Sequence, residues 1–148
     1  MTRIVGVENE FMSVWCCPEQ GIVHHVMHKF VVSAMLRQGL EIGLSLLAEH
    51  RATKWLSDDQ KNGPLSAADG EWGTTDWLPR AVQAGWRHWA MVLPEQVFGQ
   101  LKMRRQMASA VAEHGLNVKT FSDAIEALEW LESLPAFSLG QELRKSGR

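Results

Sequence analysis

His24, His25 and His28 form the densest collection of metal-capable side chains in this sequence. Their spacing argues against a shared ion. On a strand His24 and His25 point to opposite faces, and His24 and His28 share a face but stand ~13 Å apart. Zinc draws its ligands to ~2 Å, so this strand alone cannot hold one, and no metal is expected. The reading that remains is a run of histidines on a half-exposed strand. Cys16 and Cys17 are adjacent, which disfavours a bridge between them. A Cys16 nucleophile would need a nearby base and an exposed, electropositive pocket, whereas its neighbours read as core. Asp58 and Asp59 could meet a hard cation or activate water, but two neighbouring carboxylates are a weak signal. The chain contains no Gly-x-Ser-x-Gly elbow, no glycine-rich phosphate loop and no His-Glu-x-x-His. No catalytic residue and no cofactor is therefore assigned, and a non-enzymatic protein is the expectation.

Two features stand out as surfaces rather than reactive groups. The polar loop from Ser57 to Gly63 leaves the carboxyl end of a predicted strand, where open α/β sheets gather ligands. With Glu95 and Asp123 from two further strand exits, it would bring Ser57, Asp58, Asp59, Lys61 and Asn62 to one acidic rim with a single lysine. The other feature is tryptophan. Of seven in the chain, Trp55, Trp72, Trp77, Trp86 and Trp89 fall in one stretch, and tyrosine is absent. Packing accounts for them, with Trp55 and Trp89 on adjacent strands and the others covering one end. A cleft or interface is the sharper alternative, because tryptophan is enriched at binding hot spots.

These residues need a scaffold. Glu10 to Cys17 reads as a strand, Pro18 to Gly21 as a turn, and Ile22 to Phe30 as a second strand, making a β-hairpin. Ser33 is placed to cap a helix to about His50, with Leu36, Leu40, Leu44 and Leu47 inward. Gly39 and Gly43 lie one turn apart on it and would let it sit close to a sheet. Thr53 to Leu56 is a short strand. Ser66 to Asp69 has capping-box spacing for a single helical turn, and Asp76 could cap a second helix ending at Gly85. His88 to Leu93 is a strand, Val97 to His114 a helix and Val118 to Phe121 the last strand. In the long helix Leu101, Met107 and Val111 are expected inward, with Met103 near the edge. His50 and His114 fall at helix C-termini, where the helix dipole favours positive charge. Asp123 and Glu126 form another capping box for a helix with Ile125, Leu128 and Leu131 inward. The tail from Ser138 is expected to fray. The order β-β-α-β-α-β-α-β-α predicts one α/β domain with a largely parallel sheet opened by an antiparallel hairpin.

Bulk properties narrow the partners. The chain has 148 residues and a formal net charge of −2, which gives no electrostatic footprint for nucleic acid. Its basic cluster, Lys102, Arg104 and Arg105, would fan over a solvated helix face. No apolar run approaches the ~20 residues of a membrane span, and Met1 to Asn9 has no signal-like core. A cytoplasmic protein is the expectation.

Several strings carry a family resemblance. Gly21-Ile22-Val23-His24-His25, Thr53-Lys54-Trp55-Leu56-Ser57-Asp58, Asp76-Trp77-Leu78-Pro79-Arg80 and Gly85-Trp86 resemble an uncharacterised bacterial STAS-like group over about Glu10 to Leu134. STAS domains are typified by anti-sigma-factor antagonists, and the order of elements is also similar to the CRAL-TRIO lipid-binding fold. The resemblance implies a five-stranded mixed sheet and a regulatory, protein-interaction module. In STAS antagonists a serine at a helix start is phosphorylated to toggle partner binding. The matching Asp-Ser-Ser-Gly-like motif is absent here, and Ser57 and Ser66 are the nearest candidates for phosphorylation. The leading expectation is partner binding, including homodimer formation, through Ser57, Asp58, Asp59, Lys61, Asn62, Trp72, Trp77 and Trp86. The alternatives are a small apolar ligand or lipid in a cavity lined by Trp55, Trp77, Trp86 and Trp89, and a weak hydrolase using the acidic loop.

Overall fold

The computed structural model describes residues 2–62, 65–94 and 97–135. Gly63, Glu95 and the tail from Ser138 lie outside the described residues. The strands are β1 (Ile4–Glu8), β2 (Met12–Cys17), β3 (Ile22–Met27), β4 (Lys54–Asp58), β5 (His88–Val92) and β6 (Asn117–Phe121). They form one sheet in the order β1-β2-β3-β4-β5-β6. β1, β2 and β3 pair antiparallel, and β3 through β6 pair parallel. The α/β class and the opening hairpin are as expected, but the sheet has six strands and not five. The extra strand is Ile4–Glu8, which runs beside β2 with Ile4 opposite Cys16 and Glu8 opposite Ser13. A bulge between Val5 and Val7 breaks its alternation, which hides the strand from a period-two reading. Gly6 at that bulge is where β1 meets the helix behind it, since a Cβ there would lie 2.6 Å from Ile42 Cγ2.

The helices are α1 (Ser33–Glu49), α2 (Ala67–Trp72), α3 (Leu78–Gln83), α4 (Val97–His114) and α5 (Ala124–Glu132). Each parallel step moves to the next strand in one direction. Right-handed crossovers then place α1, α2–α3 and α4 on the same face. That face holds the larger core, built on Val14, Val23, Trp55, Trp89 and Met91 against Leu36, Leu47, Trp77 and Trp86. Among the described residues no strand follows β6, and α5 covers the other face. There Ala127 and Leu131 meet Ile22, Leu56, Ala90 and Val92. Lys54 is buried beneath α5, and its Nζ donates to the Leu134 carbonyl at 2.7 Å.

Several local expectations hold. Gly21 takes φ 69° at the exit of the β2–β3 turn, a conformation that side chains resist. α1 buries Leu36, Leu44 and Leu47, and its glycines meet the sheet side directly: a Cβ on Gly39 would strike Met12, and one on Gly43 would strike the Trp55 indole. Ser66 and Asp123 cap α2 and α5, accepting from the Asp69 and Ile125 backbones.

Others are corrected. Val32 occupies the N-cap of α1, and Ser33 instead sends its hydroxyl to Asp69. In α4 the inner residues are Met103 and Ala110 with Met107 beside them, while Leu101 and Val111 are exposed. Ala110 is fully buried in the larger core, so a small residue and not the larger apolar ones marks the inner face of α4. In α5, Ala127 and Leu131 face inward, and Ile125 is 68% exposed.

The largest departure lies between β4 and β5. Asp76 caps nothing. α2 runs into α3 through a π-helical turn at Gly73–Trp77, in which the Leu78 N–H bonds to the Gly73 carbonyl. Thr74 and Thr75 donate to the Gly70 and Glu71 carbonyls at 2.9 and 2.8 Å. Such back-bonding bends a helix. Pro79, which offers no N–H, follows immediately, so the widened turn absorbs a residue that would break a regular helix. Asp76 pairs with Arg80, and Arg80 also pairs with Glu41 of α1, fastening the outer surface of this segment.

Candidate functional site

β3, β4 and β5 lie side by side with His25 opposite Ser57 and Ser57 opposite Met91. Alternation then sends His25, Trp55, Ser57 and Trp89 to the face covered by α1, α3 and α4. Asp59, just past β4, continues the same parity and is buried with them. The resulting polar chain is fully buried. Trp55 Nε1 donates to His25 Nδ1 at 2.9 Å, and His25 Nε2 lies 2.9 Å from Asp59 Oδ1. An indole N–H can only donate, so Nδ1 is the acceptor and the imidazole proton sits on Nε2, directed at Asp59. Trp89 Nε1 donates to Ser57 Oγ at 2.9 Å in parallel.

The opposing wall comes from the helices. Trp77 Nε1 donates to the Leu40 carbonyl and Trp86 Nε1 to the His88 carbonyl, each at 2.9 Å. The four indoles form a contiguous cluster: Trp77 meets Trp55 edge-on at 5.1 Å between centroids, and Trp86 meets Trp89 at 5.1 Å. Between these walls lies a cavity of about 80 Å³. Its lining is mostly apolar, including Leu36, Trp86 and Met103, and it carries Ser57, Asp59 and Asn62 on the strand side. Gly73, Thr74 and Trp77 of the π-helical turn border it on the other side. π-helical turns of this kind recur at functional sites.

Asp69, also on the cavity wall, accepts from Ser33 Oγ at 2.6 Å and from Arg37 Nε at 2.8 Å. Burial opposes its ionisation, but hydrogen bonds from Ser33, Arg37 and Ser66 outweigh burial and hold its carboxyl below the ordinary value. Asp58 points to the other face and is half-buried. Burial, with a contribution from the Asp59 charge, raises its pKa despite the Gln60 N–H that it accepts.

The sequence-derived residues thus separate. Ser57, Asp59, Asn62, Trp77 and Trp86 come together, but inside the molecule and not on an open rim. Lys61 is exposed, and Asp123 caps α5 away from the cavity. Trp72 is half-buried, with the Arg37 guanidinium 5.0 Å over its ring. The Ser57 hydroxyl is enclosed, whereas Ser66 is exposed and engaged as an N-cap. Sequence reasoning missed His25 and Asp69. His25 shares the parity of Val23 and Met27, the apolar pair that flanks it, and that parity was the available signal for its burial.

The arrangement suits binding better than proton transfer. Both ring nitrogens of His25 are occupied, so it offers no free lone pair to a substrate. Cys16 is a poor nucleophile: burial, with the charges of Cys17 and Glu19, pushes its thiol up to about 12. Among the described residues no group of three histidine, cysteine or acidic side chains could hold a metal ion. Among them, too, no helix is long and apolar enough to cross a membrane. Comparison with family models, curated proteins and solved structures finds no match to this chain.

Proposed function

We propose that this chain is a small-molecule-binding module whose ligand occupies the tryptophan-lined cavity. The observation that carries the reading is a cavity of about 80 Å³ with a buried carboxylate and a buried hydroxyl set in aromatic walls. A volume near 80 Å³ corresponds to two or three waters or an organic group of roughly four heavy atoms. The ligand is therefore small, and a lipid would need the helices to part. Apolar walls with a few fixed polar groups are the usual make-up of such sites. The experiment is a fragment screen read by tryptophan emission and thermal midpoint, with Thr74→Phe as a variant that fills the space. Saturable responses lost in Thr74→Phe support the reading. A screen in which no fragment saturates overturns it.

A second reading, a partner-binding STAS-like regulatory module, is favoured by one observation. Phe30 and Val32 are 60% and 57% exposed between β3 and α1. They leave the sheet at the strand end where the cavity lies, and exposed apolar residues of this kind suit a partner surface. The antiparallel opening of the mixed sheet supports the STAS resemblance, while the sixth strand departs from it. Sedimentation of the wild type against Phe30→Ser tests self-association; a monomer in both cases removes the homodimer.

A further inference from the structure

We propose that the cavity's ligand is a small organic cation, an alkylammonium of about four heavy atoms, held against Asp59. This rests on the small-molecule reading above and adds the charge. Trp55 fixes His25 with its proton on Nε2, so the imidazole is neutral while that bond stands. The buried Asp59–His25 pair then carries one negative charge that the histidine orients but does not cancel. No lysine or arginine is among the described residues that line the cavity. Arg37 is committed to Asp69. Asp59 lines the cavity and uses Oδ1 for His25, while Oδ2 accepts no hydrogen bond among the described residues and stays open to a molecule in the cavity. A carboxylate whose free oxygen faces an apolar cavity favours a cation or donor as the occupant.

The walls favour the same ligand. Indole rings attract cations through their faces, and their apolar surface accepts alkyl groups, so Trp86 and Trp89 can receive a charged head and a short hydrocarbon body together. A bare metal ion would find too few ligands here, and an anion would meet the Asp59 charge directly.

The test compares three probes of equal heavy-atom count against wild-type protein: isopropylammonium, isopropanol and acetate. Tryptophan emission reads affinity, and intermolecular NOEs from the probe methyls to the Trp86 and Trp89 rings read location. Isopropylammonium is expected to saturate with NOEs to those rings, roughly tenfold or more tighter than isopropanol. Acetate is expected to give no response. Asp59→Asn is expected to bring the ammonium down to the affinity of the alcohol. Equal affinities of ammonium and alcohol in the wild type would overturn the charge assignment and leave the binding cavity standing. No saturation by any probe would remove both. Ammonium binding without those NOEs would place it elsewhere and overturn the proposal, and because this readout needs only wild-type protein, it decides the matter even where the Asp59 variant fails to fold.

Discussion

Acid should destabilise this protein through His24, starting above the ordinary carboxylate range. His24 lies on the face of β3 opposite the cavity, with its ring 4.2 Å from that of Trp15 and the Arg3 guanidinium 4.4 Å over the same indole. Its Nε2 is buried without a hydrogen-bond partner among the described residues. Burial first, then the neighbouring His25 and Arg3, lowers its pKa from 6.5 to about 3. The unfolded chain therefore takes up a proton near pH 6.5 that the folded chain refuses until near pH 3. The stability is whole above the unfolded value and is lost as pH falls toward the folded one. At pH 5 the loss relative to neutral pH is about 2 kcal/mol. That figure is set by the unfolded pKa, because pH 5 lies well above the folded value and a one-unit change in the latter hardly alters it. The assay is urea unfolding of wild type and His24→Leu at pH 7.5 and pH 5, followed by circular dichroism. The wild type should lose about 2 kcal/mol more than the variant over that interval, and other titrating groups cancel in the difference. Two pH profiles that run parallel would refute the reasoning.

Other outcomes follow from single contacts. Gly43→Ala drives a methyl into the Trp55 indole and should cost about 1–3 kcal/mol in chemical denaturation. Asp59→Leu leaves the buried His25 N–H without an acceptor and should cost at least about 1–3 kcal/mol, with a changed tryptophan emission because Trp55 bonds the same ring. Asp69 has a depressed pKa, so its contribution is full above the ordinary carboxylate range and fades as pH falls below it; Asp69→Asn should flatten the acid limb of a thermal-stability profile. Ile125→Ser on the exposed side of α5 should change stability by less than about 0.5 kcal/mol, whereas Leu131→Ala on its buried side should cost about 2–5 kcal/mol.

Much of the scaffold was legible because local chemistry and tertiary packing agree there. The β2–β3 hairpin, the N-caps Ser66 and Asp123 and the close-packed glycines of α1 each have one physical cause that can be read from neighbouring residues. Legibility failed where a decision is made at a distance. α4 turns Met103 and Ala110 to the core and leaves the larger Leu101 and Val111 exposed, which its own apolar spacing does not announce. The continuity of α2 with α3 depends on threonine hydroxyls and a wider turn that no heptad or capping pattern announces. The loop beginning at Ser57 reads as an open rim, but Ser57, Asp59 and Asn62 are buried, with Asp59 held against the His25 imidazole. That histidine looked like one of three surface neighbours, and only its parity with Val23 and Met27 distinguished it.

The π-helical turn has a consequence for the ancestry of the cavity. It accommodates one residue more than an ordinary helix would need over the same span. A single inserted codon is thus enough, in principle, to turn a regular helix into this one and to swing the following indole into its present place, where Trp77 reaches the Leu40 carbonyl. Deleting one residue from Gly73–Trp77 would reverse the step, rotating α3 by about a quarter-turn or more and carrying the cavity's wall away with it. One wall of the hollow thus hangs on the smallest change in length that a gene can make in frame.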